Sequence, residues 1–214
     1  MQVGRRMTKH PKTVSPGDSL ARAAQMMREH RFHHLPVVEG GKLVGILSDT
    51  DLRNAALAAG KTPAPGELPV SDRKVGEAMQ TEVWSLTPED SVEDALLILR
   101  RKRFGCLPVV SGEKLVGILT KTDLIDAFVD VLEIDGVGVR VEVLLPRSLE
   151  RFEELVAIVR DLGVELRSCL ISPDERGSDR MAVLLRFDTI NGPMVRGALR
   201  AKHFEVLEPG ADTL

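Results

Sequence analysis

The sequence predicts an α+β protein made of two β-α-β-β-α units and a final β-α-β-β-α-β unit. Three observations predict it. Residues Leu35 to Leu52 (LPVVEGGKLVGILSDTDL) and Leu107 to Leu124 (LPVVSGEKLVGILTKTDL) agree at 14 of 18 positions, at a constant offset of 72. Around both stretches the same order of helix-period and strand-type apolar runs recurs. After residue 135 the repeat stops, and a different succession of strands and helices begins.

Each repeat extends beyond the near-identical stretch. Val3-Gly4 and Met7 match Val75-Gly76 and Met79, and Ser15-Pro16 aligns with Thr87-Pro88. Asp18-Ser19 falls on Asp90-Ser91, Ala23 on Ala95, and Phe32 on Phe104. The first unit is read over 1–60 and the second over 73–132. In each, a short extended piece (Thr13-Val14, then Val83-Trp84) leads to a helix. Leu20, Ala23, Ala24 and Met27 give the first helix an apolar face; Val92, Ala95, Leu96 and Leu99 do so in the second. Ser91 with Asp94 resembles a capping box. A hairpin follows, Leu35–Val38 with Leu43–Leu47 or Leu107–Val110 with Leu115–Leu119. A second helix starts near Asp51 or Asp123. Between the units, Gly60 to Pro69 holds three prolines and two glycines, which marks 61–72 as a linker.

The last unit is read over 136–208. Val139, Val141 and Val143 alternate as a strand. Leu149, Phe152, Leu155, Val156, Val159 and Leu162 fit one helix face, stopped at Gly163. Val164 to Ile171 is a strand, Ser172 to Arg180 a polar loop, and Met181, Val183, Leu185 and Phe187 a third strand. Gly192-Pro193 opens a helix to about Lys202, and Phe204 to Leu207 closes as a fourth strand. That order is the ferredoxin-like motif.

Composition excludes several classes. Hydrophobic residues make up 43% but aromatics only 3%, with one Trp and no Tyr. Base-stacking platforms for single strands are therefore not expected, and a net charge of −3 gives no general attraction for nucleic acid. Cys106 and Cys169 are isolated, which argues against a disulfide framework and a structural zinc and fits a reducing cytoplasm. No apolar run approaches the roughly 18 to 20 residues of a membrane span, and no leader opens the chain. A soluble cytoplasmic chain is expected.

The chemistry-bearing residues lie at the end of each repeated stretch. In Gly45–Asp51 and Gly117–Asp123 a strand ends, Ser48 or Thr120 follows, and Asp51 or Asp123 comes three positions later. A helix start there offers unpaired N–H groups to a phosphate, joined by the hydroxyl. An ionised Asp, which only accepts hydrogen bonds, suits a ribose diol. Ser and Asp at such junctions also serve as plain N-caps; two copies at a fixed offset favour a binding site.

These motifs, LPVV, then GKLVGIL, then S/T-x-T-D-L, resemble the CBS domain. A tandem pair resembles a Bateman module, and the resemblance covers about residues 1 to 132. It implies an adenine-nucleotide site, for AMP, ADP or ATP, with no other cofactor. Ser48 and Thr120, within motifs that include Thr50 and Thr122, would hold phosphate, and Asp51 and Asp123 ribose. Pro36-Val37 and Pro108-Val109, with Thr13 and Val83, would flank adenine. Lys121 adds a positive charge beside the second phosphate position, where the first copy has Asp49. That acid repels a polyphosphate and weakens the first site.

The last unit resembles an ACT domain, and the three-part order is similar to the acetoin-utilisation regulator family. Amino-acid-binding ACT domains carry a Gly after the first strand. Leu145-Pro146-Arg147-Ser148 has none, so the resemblance implies a dimerisation domain.

Other signals are set aside. Gly60-Lys61-Thr62 lacks the upstream Walker glycine, since position 55 is Ala55. His33-His34 has no metal ligand at suitable spacing. Arg100–Arg103 ends a helix, where cations complement the dipole. No activated nucleophile stands out, so no catalytic residue is assigned. The expected protein is a homodimeric, nucleotide-binding sensor tied to acetoin or central carbon metabolism through a regulated enzyme. A ligand-free scaffold and an enzyme of acetoin breakdown are the alternatives.

Overall fold

The computed structural model describes residues 1–58, 60, 72–174 and 179–207. The expected linker over 61–72 thus lies outside the described residues except for residue 72, as does part of the loop from Ser172 to Arg180. The chain divides into two compact units, Met1–Asp126 and Ala127–Leu214.

The first unit contains both repeats. Its elements are β1 (Thr8–Lys9), α1 (Leu20–His30), β2 (His34–Glu39), β3 (Lys42–Ser48) and α2 (Asp49–Ala58), then α3 (Val92–Lys102), β4 (Cys106–Ser111), β5 (Lys114–Thr120) and the start of α4 (Lys121–Leu132). β2 and β3 pair antiparallel from His34↔Ser48 to Glu39↔Lys42; β4 and β5 pair from Cys106↔Thr120 to Ser111↔Lys114. Both hairpins shift register at the same place, after Val37 and after Val109. The equal sequence therefore folds equally, down to the bulge.

Local signals set the helices. Ser19 and Ser91 cap α1 and α3 by accepting from the N–H of Arg22 and Asp94, and the Ser91 hydroxyl also donates to Asp94 Oδ2 at 2.9 Å. Both helices end on an arginine in the left-handed region, Arg31 at φ 56° and Arg103 at φ 58°. Leu20, Ala23, Ala24 and Met27 are buried as expected, and so are Val92, Ala95 and Leu99. Leu96 is not: it is 38% exposed, at the rim of the face that its counterpart Ala24 shares with the core.

The expected extended pieces need one correction. Val14 bridges Val37 in parallel, but the matching bridge in the second copy is Leu86↔Val109, not Val83-Trp84. Leu86 is the residue 72 positions after Val14 and is 4% exposed, whereas Trp84 is 50% exposed with Lys102 Nζ 4.6 Å above its ring. Trp84 instead stands 72 positions after Lys12, which is exposed as well.

The first segment of each repeat crosses to the hairpin of the other. β1 pairs with β5 (Thr8↔Ile118, Lys9↔Gly117), and Gln80 bridges Ile46 of β3 with both backbone bonds formed, at 2.8 and 2.9 Å. Val3 is fully buried among Leu86, Leu99, Leu107 and Leu119; Val75 is fully buried among Leu20, Leu35 and Leu47. The two cores are therefore each built from both repeats. Glycine permits the crossing. A Cβ on Gly45 would come within 2.7 Å of Met79 Sδ and 2.9 Å of Gln80 O; Gly117 is closed in the same way by Met7 and Thr8. Gly45→Ala should cost about 1–3 kcal/mol by overpacking, read by denaturant unfolding. Gly197→Ala is the control: nothing lies within 4 Å of its added carbon, so helix propensity should make it neutral or stabilising.

The second unit holds β6 (Val139–Pro146), α5 (Leu149–Asp161), β7 (Leu166–Pro173), β8 (Arg180–Phe187), α6 (Gly192–Ala201) and β9 (Glu205–Leu207). This is the β-α-β-β-α-β order expected, in an antiparallel sheet ordered β7-β8-β6-β9. Ser148 and Asn191 cap its helices. Val141, Val143, Val183, Leu185 and Phe187 point from the sheet onto Leu155, Val195 and Leu199 of the helices. Leu149 and Val156, expected on the apolar face of α5, are 73% and 49% exposed.

Candidate functional site

Both strand-to-helix junctions close on themselves. The helices begin at Asp49 and Lys121, so Asp51 and Asp123 are third residues rather than openers. Asp123 Oδ2 accepts from the Thr120 N–H and hydroxyl, each at 2.6 Å, while the Asp123 N–H donates back to Thr120 Oγ1 at 3.2 Å. Asp51 and Ser48 repeat this, with the Ser48 N–H at 2.8 Å and the return bond at 3.2 Å. These are reciprocal caps. Each leaves Oδ1 facing outward. Thr8 Oγ1 donates to Asp123 Oδ1 at 3.1 Å, and Gln80 Nε2 to Asp51 Oδ1 at 3.0 Å. Thr8 and Gln80 are again counterparts at offset 72, each carried by a crossing segment. Each carboxylate thus caps its helix with one oxygen and accepts from the crossing segment with the other.

Around Asp123 lies a cleft of about 480 Å³, within the range of small-molecule sites. Thr120, Lys121, Thr122 and Asp123 form one end. Ile118 and Pro36 give an apolar wall, Thr8, Pro11 and Lys12 come from the crossing segment, and His30 to His34 come from the end of α1 and the turn after it. Gly105 lines it too: a Cβ there would meet the His34 ring, with Nε2 at 2.7 Å. The cleft joins the strand wall of the first repeat to the hydroxyl-acid corner of the second because β1 has crossed over.

Of the expected site residues, the cleft brings together Pro36, Thr120, Lys121, Thr122 and Asp123. Ser48, Thr50 and Asp51 lie at the other junction, and Thr13, Val83 and Pro108 do not line this cleft. Val37 and Val109 are fully buried, and their side chains belong to the two cores. Thr8, Pro11, Lys12, His30, Arg31, Phe32, His33, His34, Gly105 and Ile118 were missed. The signal that leads to the first of them was the repeated Val-Gly-x-x-Met segment, which is where the crossing begins.

Electrostatics separate the two junctions. Burial raises the Asp49 carboxyl, but the His33 hydrogen bond and charge and the charge of Arg53 outweigh it and hold it below its ordinary value. Both partners lie 3.4 Å from its Oδ2. Burial lowers the pKa of His34, opposed by Asp49, so its ring is neutral at pH 7. Burial, with Asp123 nearby, pushes the Cys106 thiol up to about 12, which keeps it protonated and a poor nucleophile. Among the described residues no group of three or more His, Cys, Asp or Glu is placed to hold a metal, and no helix is long and apolar enough to cross a membrane.

Comparison with known proteins places the first repeats. The CBS-domain protein YhcV of Bacillus subtilis is 38% identical over 118 residues, covering 55% of this chain and 79% of YhcV. An inosine-5'-monophosphate dehydrogenase of Korarchaeum cryptofilum is 36% identical over 113 residues, which make up 52% of this chain and only 21% of that enzyme. Among solved structures, AcuB of Vibrio cholerae, assigned to acetoin utilization, superposes with a TM-score of 0.54 at 30% identity, over 63% of this chain and 96% of AcuB. The CBS pair of MJ0100, in complex with 5'-methylthioadenosine and S-adenosyl-L-methionine, gives 0.51 at 28% identity, over 60% and 95%. CBSX2 in complex with AMP gives 0.51 at 28% identity, over 63% and 98%. The CBS domain family matches residues 2–58 and 75–130. The chain belongs to the CBS domain family and carries that domain twice.

Proposed function

We propose that the chain is a regulatory module that binds an adenine nucleotide in the cleft at Asp123 and catalyses no reaction itself. One observation carries the reading: Pro36 of one repeat and the Thr120–Asp123 corner of the other line a single cleft of nucleotide size. The adenosyl ligands of MJ0100 and the AMP of CBSX2 support it. Pro36 and Ile118 offer an apolar surface to the base, Asp123 Oδ1 accepts from the ribose, and Lys121 with Thr122 faces the phosphate. A ligand gripping both repeats favours the arrangement in which they close on it, and its effect equals its differential affinity for the two arrangements.

The strand order β7-β8-β6-β9 supports a ferredoxin-like, ACT-like reading of the second unit, serving dimerisation. The likeness to AcuB supports a link to acetoin or central carbon metabolism through a regulated enzyme. The shared part of the dehydrogenase is a small fraction of that enzyme, so its activity does not transfer here.

Thermal unfolding tests the ligand. AMP, ADP or ATP at a hundred times its Kd should add about 2.7 kcal/mol of stability. No stabilisation by any of the three at millimolar concentration rejects the reading and leaves a scaffold.

A specific observation favours self-association as well. Ile125, Phe128 and Val131 are 62%, 45% and 53% exposed along one stripe of α4, more apolar surface than a solvated helix face needs. A second copy would cover it. Phe128→Glu should shift the chain from dimer to monomer in analytical ultracentrifugation, and an unchanged mass would move the interface elsewhere.

A further inference from the structure

Three cations line the cleft without a carboxylate partner among the described residues: Lys12, Arg31 and Lys121. The ion pairs among the described residues involve other groups, and the one acid lining the cleft, Asp123, is engaged by Thr120 and Thr8. Unpaired like charges converging on one concave surface repel each other until an anion joins them. Arg31 stops α1 at φ 56°, as Arg103 stops α3 at φ 58°, in the left-handed region where glycine sits without strain.

The other junction keeps the arginine at the helix stop, Arg103, but differs at the other two positions. At offset 72, Lys12 corresponds to Trp84, whose ring is covered by Lys102. Lys121 corresponds to Asp49, an acid already paired with Arg53 and His33. One corner holds unbalanced positive charge, and its counterpart holds an acid balanced by its own chain.

We propose that the Asp123 cleft is selective for a nucleoside di- or triphosphate over a monophosphate, one per chain, with Lys12 and Arg31 holding the phosphates beyond the first, and that the Asp49 corner takes no polyphosphate. This rests on the reading of the cleft as a nucleotide site. It goes further in assigning selectivity to two residues outside the repeated motif. Guanidinium and ammonium donors to phosphate oxygens form charge-assisted bonds, which makes phosphate count the quantity they sense.

Calorimetric titration of the full chain with AMP, ADP, ATP and S-adenosylmethionine tests it. ATP should bind about tenfold or more tightly than AMP, from one added charge-assisted contact, with a stoichiometry of one. S-adenosylmethionine, with its sulfonium and no phosphate, should be weakest. Lys12→Ala and Arg31→Gly should each narrow the ATP-to-AMP ratio to below about threefold while AMP affinity changes little. Arg31→Gly relaxes the helix stop and should unfold no earlier than the parent chain, so its loss of ATP selectivity cannot be assigned to misfolding. Equal binding of AMP and ATP, an unchanged ratio in both variants, or two ATP per chain overturns the proposal and leaves a nucleotide site in place. Failure of all four compounds to bind overturns both.

Discussion

Asp123→Ala is expected to weaken adenine-nucleotide binding about a hundredfold, while Asp51→Ala leaves it within about threefold. The size follows from two ribose hydroxyls donating to one charged acceptor. Hydrogen bonds to charged groups contribute about 1.5–3 kcal/mol each, and 1.4 kcal/mol is a factor of ten. The asymmetry follows from position: Asp123 lines the cleft and Asp51 does not. The pair also controls for folding. Both carboxylates close the same reciprocal cap, on Thr120 and on Ser48, so both substitutions should cost about 1 kcal/mol of stability. Equal stability losses with unequal binding losses isolate the ligand contact. Equal binding losses at both positions would remove the assignment of the site to Asp123, and no loss at either would remove the ribose contact altogether.

The parts of this fold that were legible in the sequence are the local ones. Periodicity, capping serines and the duplicated hairpin depend on residues within a few positions of each other, and the element order of all three units follows from them. Identity at a fixed offset reveals that Val3 is the equivalent of Val75. It does not reveal which hairpin either one joins, because the two hairpins are nearly identical and offer the same partners. That ambiguity hid the crossing, and with it the composition of the cleft. Pro36 and Asp123 were both chosen from the motif, but their union depends on β1. Lys12 and Arg31 sit in no motif and on no apolar period; only the folded chain brings them beside Asp123. Val83-Trp84 differs by register: Trp84 stands 72 positions after the exposed Lys12, and Leu86 fills the position of Val14. Leu96, Leu149 and Val156 show the limit of helix-face reading, since residues at the edge of an apolar stripe are buried only where a neighbour covers them.

Val3→Asp is expected to destabilise the hairpin of the second repeat, although Val3 belongs to the first repeat by sequence. Val3 is fully buried with Leu86, Leu99, Leu107 and Leu119, and its N–H donates to Asp90 O at 2.9 Å. A carboxylate there has no cation within the cluster. Burying it unpaired, on top of the lost valine contacts, should cost about 3–5 kcal/mol, a large share of the 5–15 kcal/mol that holds a typical domain folded. Hydrogen exchange locates the damage. Protection should fall first at Leu107, Leu119 and their neighbours in β4 and β5, with β2 and β3 retained longer. Val75→Asp should give the mirror result, loosening Leu35 and Leu47, because Val75 is buried in that core. If Val3→Asp loosens β2 and β3 instead, each repeat keeps its own first segment. Thr8, Pro11 and Lys12 then belong to the other junction, and the pairing of Pro36 with Asp123 across one cleft fails with them.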